Sequence, residues 1–199
     1  MSRKVADKPV DRRSMRTRNA LSEALMEILA ERGWDDIAVQ DVCERANIGR
    51  STFYSHYPNK DALLQGGLNG LQAELQRQAR TRSDNPSSGG GRAQGFGFAP
   101  GLIEHALEQR AVFRGLIGRR SGYAVQQRFR EMVIRLVSNE LPTSTGSFPR
   151  QAVARYLAAA FVELLSWWVE QRAPMPSTEL AALFDELARP ALERRSLRR

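Results

Sequence analysis

Apolar residues recur at helical spacing along almost the whole chain. Over residues 17–32, Leu21, Leu25, Ile28 and Leu29 fall at i, i+4, i+7 and i+8 and make one stripe on one helix face. Gly33 follows the last turn, where a left-handed C-terminal cap is expected, and Trp34 and Ile37 bring the chain back to the core. Residues 39–45 form a short helix with Val42 and Ala46 inward. Asn47 stands where the turn requires positive φ, which Asn tolerates better than most side chains. A second short helix spans 50–56 and Pro58 ends it; Asn59 then caps a longer helix from Lys60 to residue 81, carrying Leu63, Leu64, Leu68, Leu71 and Leu75.

The second half reads the same way. Helices are expected over 102–118 (Ile103, Leu107, Val112, Phe113, Leu116, Ile117) and over 123–140 (Val125, Phe129, Met132, Val133, Leu136, Val137). Two more are expected over 149–172 and from Ser177 onward. No stretch alternates with period two between hairpin turns, so the fold class is all-α. Breaks in the pattern divide the chain. Residues 1–16 are a polar, basic arm expected to be disordered, 17–58 a three-helix unit and 59–82 a connecting helix. Residues 83–97, with Asn85-Pro86 and three consecutive glycines at 89–91, are a flexible loop, and 98–199 a second helical domain.

The segment 149–172 is apolar nearly all round: Val153, Tyr156, Leu157, Phe161, Leu164, Leu165, Trp167, Trp168 and Val169. A helix apolar on every side has to be covered on every side, here by its own domain and by a second subunit. Leu180, Leu183, Phe184 and Leu187 make a stripe at i, i+3, i+4 and i+7 on the last helix. With Leu164 and Trp168 they form the expected homodimer seam. Trp167 and Trp168 point about 100° apart, so one suits a pocket and the other an interface. Spacing leaves open which is which; the assignment taken forward puts Trp167 in the pocket. Phe113, Tyr123, Phe129, Met132 and Trp167 are the candidate lining of a small-molecule pocket, with plain core packing as the alternative for each. His105 and Arg119-Arg120 are groups that would pair with an acidic ligand, or equally sit at the surface.

Composition narrows the class. The 199 residues carry a formal charge of +8, and 42% are hydrophobic, so a folded chain with a polyanionic partner is expected. Lys4, Lys8 and Lys60 are the only lysines; the other basic residues are Arg, whose planar fork suits phosphate and guanine. The single cysteine, Cys43, excludes an intrachain disulfide and a cysteine-based zinc cluster, and fits a small buried core position. No apolar run follows the basic N-terminus, and no apolar segment is read as reaching the roughly 20 residues that span a bilayer. The expectation is a cytoplasmic protein without a membrane partner. Two histidines, one cysteine, no phosphate-cradling Gly-rich loop ahead of Lys-Ser/Thr and no His-Glu-x-x-His leave no catalytic residue, metal site or cofactor to nominate.

The chemistry lies in the two short helices. They are joined by a tight turn, and the second is rich in polar and aromatic groups, which is a helix-turn-helix pattern. On it Arg50, Ser51, Tyr54 and Ser55 share one side while Phe53 points away. Arg50 is placed for a bidentate guanine contact, and Ser51, Thr52, Tyr54 and His56 for hydrogen bonds to phosphate oxygens. Lys60 opens the next helix, where its charge, a backbone N–H and the helix dipole converge on one phosphate.

The segment from Thr17 to Leu68 resembles the DNA-binding domain of the TetR (tetracycline repressor) family. The match centres on Val-Gln-Asp-Val-Cys-Glu-Arg-Ala-Asn-Ile-Gly-Arg-Ser-Thr-Phe-Tyr-Ser-His-Tyr-Pro-Asn-Lys at residues 39–60, with the Thr-x-Tyr-x-His run at Thr52, Tyr54 and His56. The resemblance implies base or nearby backbone contacts from Gln40, Arg50, Ser51 and Thr52, and phosphate contacts from Tyr54, His56 and Lys60. It departs from the family at Ala38, where a capping Thr or Ser is usual, at Asn47 in place of Gly, and at Cys43 in place of a small residue. Residues 98–199 resemble the family's regulatory and dimerisation domain more loosely. Together these imply a repressor that binds double-stranded palindromic DNA as a homodimer, using its last two helices as a four-helix seam, and is released by a small-molecule effector.

Overall fold

The computed structural model describes residues 12–84, 95–117, 122–142, 148–171 and 174–192. All regular structure among them is helical: α1 (Arg12–Glu31), α2 (Val39–Arg45), α3 (Arg50–His56), α4 (Lys60–Asp84), α5 (Phe98–Glu108), α6 (Arg110–Ile117), α7 (Gly122–Glu140), α8 (Arg150–Glu170) and α9 (Ser177–Leu192), with a 3₁₀ turn at Trp34–Asp36. The first helix begins five residues before Thr17, so the C-terminal end of the expected basic arm is helical; residues 1–11 lie outside the described residues, as does most of the expected loop. The expected helix over 102–118 is two helices, α5 and α6, which part at Gln109, a residue outside helical geometry at φ −107° and ψ 36°.

Gly33 is not a left-handed cap. Its φ of −67° and ψ of 156° are extended, and it leads into the 3₁₀ turn. Asn47 does take the left-handed region, at φ 52°, as its place in the turn requires. Ala38 has no side-chain acceptor at the start of α2, but half of a capping box survives, because the Ala38 N–H donates to Asp41 Oδ2 at 2.7 Å. That bond, followed by the neighbouring Arg32 guanidinium, holds the Asp41 carboxyl below its ordinary range. Asn59 caps as expected, its Oδ1 accepting from the Ala62 N–H at 2.8 Å.

Most residues of the predicted stripes are in the observed core, but Leu107 is exposed and Leu71, Val112 and Ile117 are half-buried. Leu21, Leu25, Ile28 and Leu29 of α1 and Leu63, Leu64, Leu68 and Leu75 of α4 are buried, as are Phe129, Met132 and Val133 of α7. In the C-terminal half, Phe98, Phe161, Phe184 and Phe96 stack edge-on or tilted at centroid distances of 4.9–5.9 Å. The backbone entering α5 is held by carboxylates from two other helices. Asp185 Oδ1 accepts from the Phe96 N–H at 2.9 Å, and Glu140 accepts from the Gly97 and Phe98 N–H groups at 2.5 and 3.0 Å. Burial pushes both acids above their ordinary range despite these bonds.

Between the halves, α6 lies against α1 so closely that a Cβ on Gly115 would fall 2.5 Å from the Leu29 carbonyl oxygen. Arg110 and Arg114 of α6 donate to the last carbonyls of α8, both reaching Val169 O through Nε at 2.8 and 3.0 Å, and Arg110 Nη2 also reaching Gln171 O. Arg128 of α7 pairs with Asp61 of α4 at 2.9 Å, and Arg135 donates to Gln72 at 2.9 Å. By length and mean hydropathy (1.3) α8 does reach a membrane-spanning helix, which corrects the sequence reading. Here 44% of its most apolar window is buried against the rest of the protein, and its neighbours are α5, α6, α7 and α9.

Candidate nucleic-acid interface

The surface presented by α3 follows from one buried ring. Phe53 is fully buried, edge-on to Tyr54 at 5.3 Å and tilted to Tyr57 at 6.2 Å. With that side fixed inward, Arg50, Ser51, Thr52, Tyr54 and Ser55 are all exposed, and Tyr54 keeps 49% of its surface. Arg50 has no hydrogen-bond or ion-pair partner among the described residues, so its guanidinium is free to present its planar fork. Ser55 Oγ donates back to Thr52 O at 2.7 Å, which leaves its lone pairs outward. His56 is half-buried at the end of α3.

Gln40 lies on the exposed side of α2 and donates to Glu44 at 2.6 Å. Tyr57 is half-buried; its ring lies against Gly66 of α4, where a Cβ would come within 3.0 Å of it. That makes Tyr57 a packing residue and explains why Gly66 has no side chain. Cys43 is buried and its thiol is pushed up by burial, as suits a core position. Arg45 ties α2 to α1 by pairing with Glu27 at 3.2 Å and Glu31 at 2.8 Å.

Lys60 departs from expectation. Its Nζ donates to Trp34 O and to Ile37 O, both at 2.7 Å, and sits 4.6 Å from the Trp34 ring centroid. The sequence reading missed this arrangement because its partners are backbone carbonyls 23 and 26 residues away, which leave no side-chain signature.

The other candidate sites are only partly brought together. Phe113, Phe129 and Met132 are buried, with Phe113 edge-on to Phe129 at 5.7 Å and to His105 at 5.7 Å. Burial lowers the His105 pKa. Tyr123 is 78% exposed and Trp167 44% exposed, so neither lines a cavity with those three. Arg119 and Arg120 lie outside the described residues. In the expected seam, Trp168, Leu180 and Phe184 are buried inside the protomer, with Trp168 Nε1 donating to Met175 O at 2.8 Å. Leu164 and Leu183 are half-buried and Leu187 is exposed. Trp167, expected in the pocket, is the outward tryptophan and Trp168 the buried one, because the inward face of α8 is set by Phe161, Leu165 and Trp168.

Comparison with known proteins agrees with this geometry. Residues 21–66 match the model of bacterial regulatory proteins of the tetR family. A 70-residue stretch is 43% identical to the uncharacterized HTH-type transcriptional regulator YxbF of Bacillus subtilis, covering 35% of this chain and 18% of that protein's length. Over nearly the whole chain, a crystal structure of a TetR transcriptional regulator from Streptococcus agalactiae superposes with a TM-score of 0.62 at 26% identity, covering 89% of this chain and 96% of that one. The Thermus thermophilus FadR repressor, crystallised with lauroyl-CoA, superposes with a TM-score of 0.56 at 17% identity over 92% and 98% of the two chains. These are regulators, not enzymes. Over residues 21–66 the helix-turn-helix, with its polar face outward, is thus similar to that of the tetR family of bacterial regulatory proteins, and the all-α fold is the one these regulators share.

Proposed function

We propose that this protein is a cytoplasmic repressor that binds a palindromic operator as a homodimer and is released by a small-molecule effector bound in its C-terminal half. The observation that carries the DNA side is the division of α3: Phe53 fully buried, Arg50, Ser51, Thr52 and Tyr54 outward. Gln40, Arg50, Ser51 and Thr52 are the proposed contacts to bases or the nearby backbone, and Tyr54 and His56 those to phosphate. Two-fold symmetry places two such helices about 34 Å apart, in successive major grooves. Likeness to a repressor crystallised with lauroyl-CoA supports the effector reading. Because Phe113, Phe129 and Met132 are packed against one another here, an effector seated among them has to open that cluster.

The test is selection of duplexes from a random pool, followed by binding measurements on the winner. The selected sequence should be palindromic, and affinity should fall steeply with salt. Arg50→Ala should cost about 1–3 kcal/mol on the selected duplex and little on random DNA. Equal losses on both would remove Arg50 from the base-reading set.

A further inference from the structure

Lys60 sits at a junction its sequence neighbours do not reveal. The carbonyls it grips belong to Trp34 and Ile37, in the turn immediately before α2; Lys60 itself is the first residue of α4, just after α3. One ammonium therefore joins the two ends of the helix-turn-helix across 23 and 26 residues of sequence. An ammonium has three donors, and two are used in these bonds. The Trp34 ring, buried and 4.6 Å from Nζ, adds a cation–π contact that the same position satisfies. Lys60 is itself half-buried, and Asp41, a carboxylate on α2, interacts with its charge.

We propose that Lys60 serves DNA binding as a positioning residue: its ammonium clasps the entry of α2 to the exit of α3 and so sets the angle at which α3 meets the groove, instead of neutralising a phosphate. The inference rests on the DNA-binding reading above. A clasp of this kind needs a compact point charge with donors close to the stem. Arg keeps the charge but carries it on a wider planar fork, so it does not reproduce the two carbonyl contacts.

Three roles give three different results. A phosphate contact removed lowers affinity alike on all sequences and reduces the slope of log K against log salt by about one. A purely structural lysine removed lowers the folded fraction, again equally for all sequences. A positioning residue removed misdirects the base readers, so the loss falls on the specific duplex.

The experiment measures full-length wild type, Lys60→Met and Lys60→Arg on the selected duplex and on a random one across a salt series, with circular dichroism on each sample. We expect both variants to lose at least tenfold on the selected duplex and less than about twofold on random DNA, with an unchanged salt slope. In the wild type, the ¹⁵N resonance of the Lys60 ammonium should stay in place when the selected duplex is added. Equal losses on both duplexes, a slope lowered by about one in Lys60→Met, or Lys60→Arg binding as well as wild type would overturn the clasp. So would movement of the ammonium resonance on DNA, which needs no variant and holds even if Lys60→Met fails to fold. A wild type that enriches no duplex would overturn the DNA-binding reading and this role with it.

Discussion

Asn47 shows what one residue can decide. It is the non-glycine residue with positive φ among the described ones, at 52°, and it sits between the two helices that have to cross. Its carbonyl-side neighbours are locked, with the Ile48 N–H donating to Cys43 O at 2.9 Å and the Asn47 N–H to Glu44 O at 3.1 Å. A left-handed conformation costs a residue with a Cβ roughly 1–2 kcal/mol, least for Asn and nothing for Gly. Asn47→Val should therefore lower the unfolding free energy by about 1–2 kcal/mol, while Asn47→Gly should be close to neutral in the same chemical denaturation measurement. Equal effects of the two substitutions would show that the turn relaxes out of this conformation. Residue-scale features of this sort were legible beforehand, because each is local: the turn residue, the Asn59 cap and the inward Phe53 need only their immediate neighbours. The role of Lys60 was not, because hydrogen bonds to distant carbonyls depend on how helices are brought together.

At the scale of elements, helix existence was readable and helix boundaries less so. The stripe over 102–118 continues across Gln109, so nothing in its periodicity reveals that α5 and α6 are separate. The break becomes visible only in the packing. Helix α6 is held at one edge by Arg110 and Arg114 on the end of α8, and at Gly115 it meets the α1 backbone. A glycine there reads in sequence as a weak spot in a helix; in three dimensions it is where two helices come closest. Since the atoms opposite are Leu29 and Ala30 main chain, no side chain can rotate aside. Gly115→Ala should force α6 away from α1 and lower stability by about 1–3 kcal/mol, the range for overpacking, although alanine is the better helix former. A thermal melt in which Gly115→Ala matched or exceeded wild type would show that the α1–α6 contact is looser than this.

For the whole molecule the question is what covers the outer face of α8. Its inward side, Leu157, Phe161, Leu165 and Trp168, is buried by the protomer itself. Its outward side carries Tyr156, 63% exposed, and Trp167, 44% exposed, with Ala159, Ala160 and the exposed Glu163 between them, and Leu187 of α9 is 57% exposed. An aromatic face interrupted by small residues allows a second helix to approach closely, and a two-fold copy of the same face is its simplest complement. The proposed homodimer seam is then assigned to these outward residues of the same two helices. Phe184, which sequence spacing placed in it, is 1% exposed and lies 4.9 Å from the Phe161 ring and 5.4 Å from the Phe96 ring. Phe184→Arg should therefore disrupt the protomer, since an unpaired buried charge costs several kcal/mol. Trp167→Arg places the same charge on the outer face. It should leave helical content and protomer folding intact by circular dichroism, yet sediment as a monomer, because a seam of more than about 1,000 Å² cannot close over a desolvated pair of like charges. Operator affinity should then fall by about 10²–10⁴, the gain that two linked half-sites draw from effective concentration. A Trp167→Arg protein that stays dimeric would move the interface off α8, and one that is monomeric yet binds the full operator undiminished would show that dimerisation is not what joins the two half-sites.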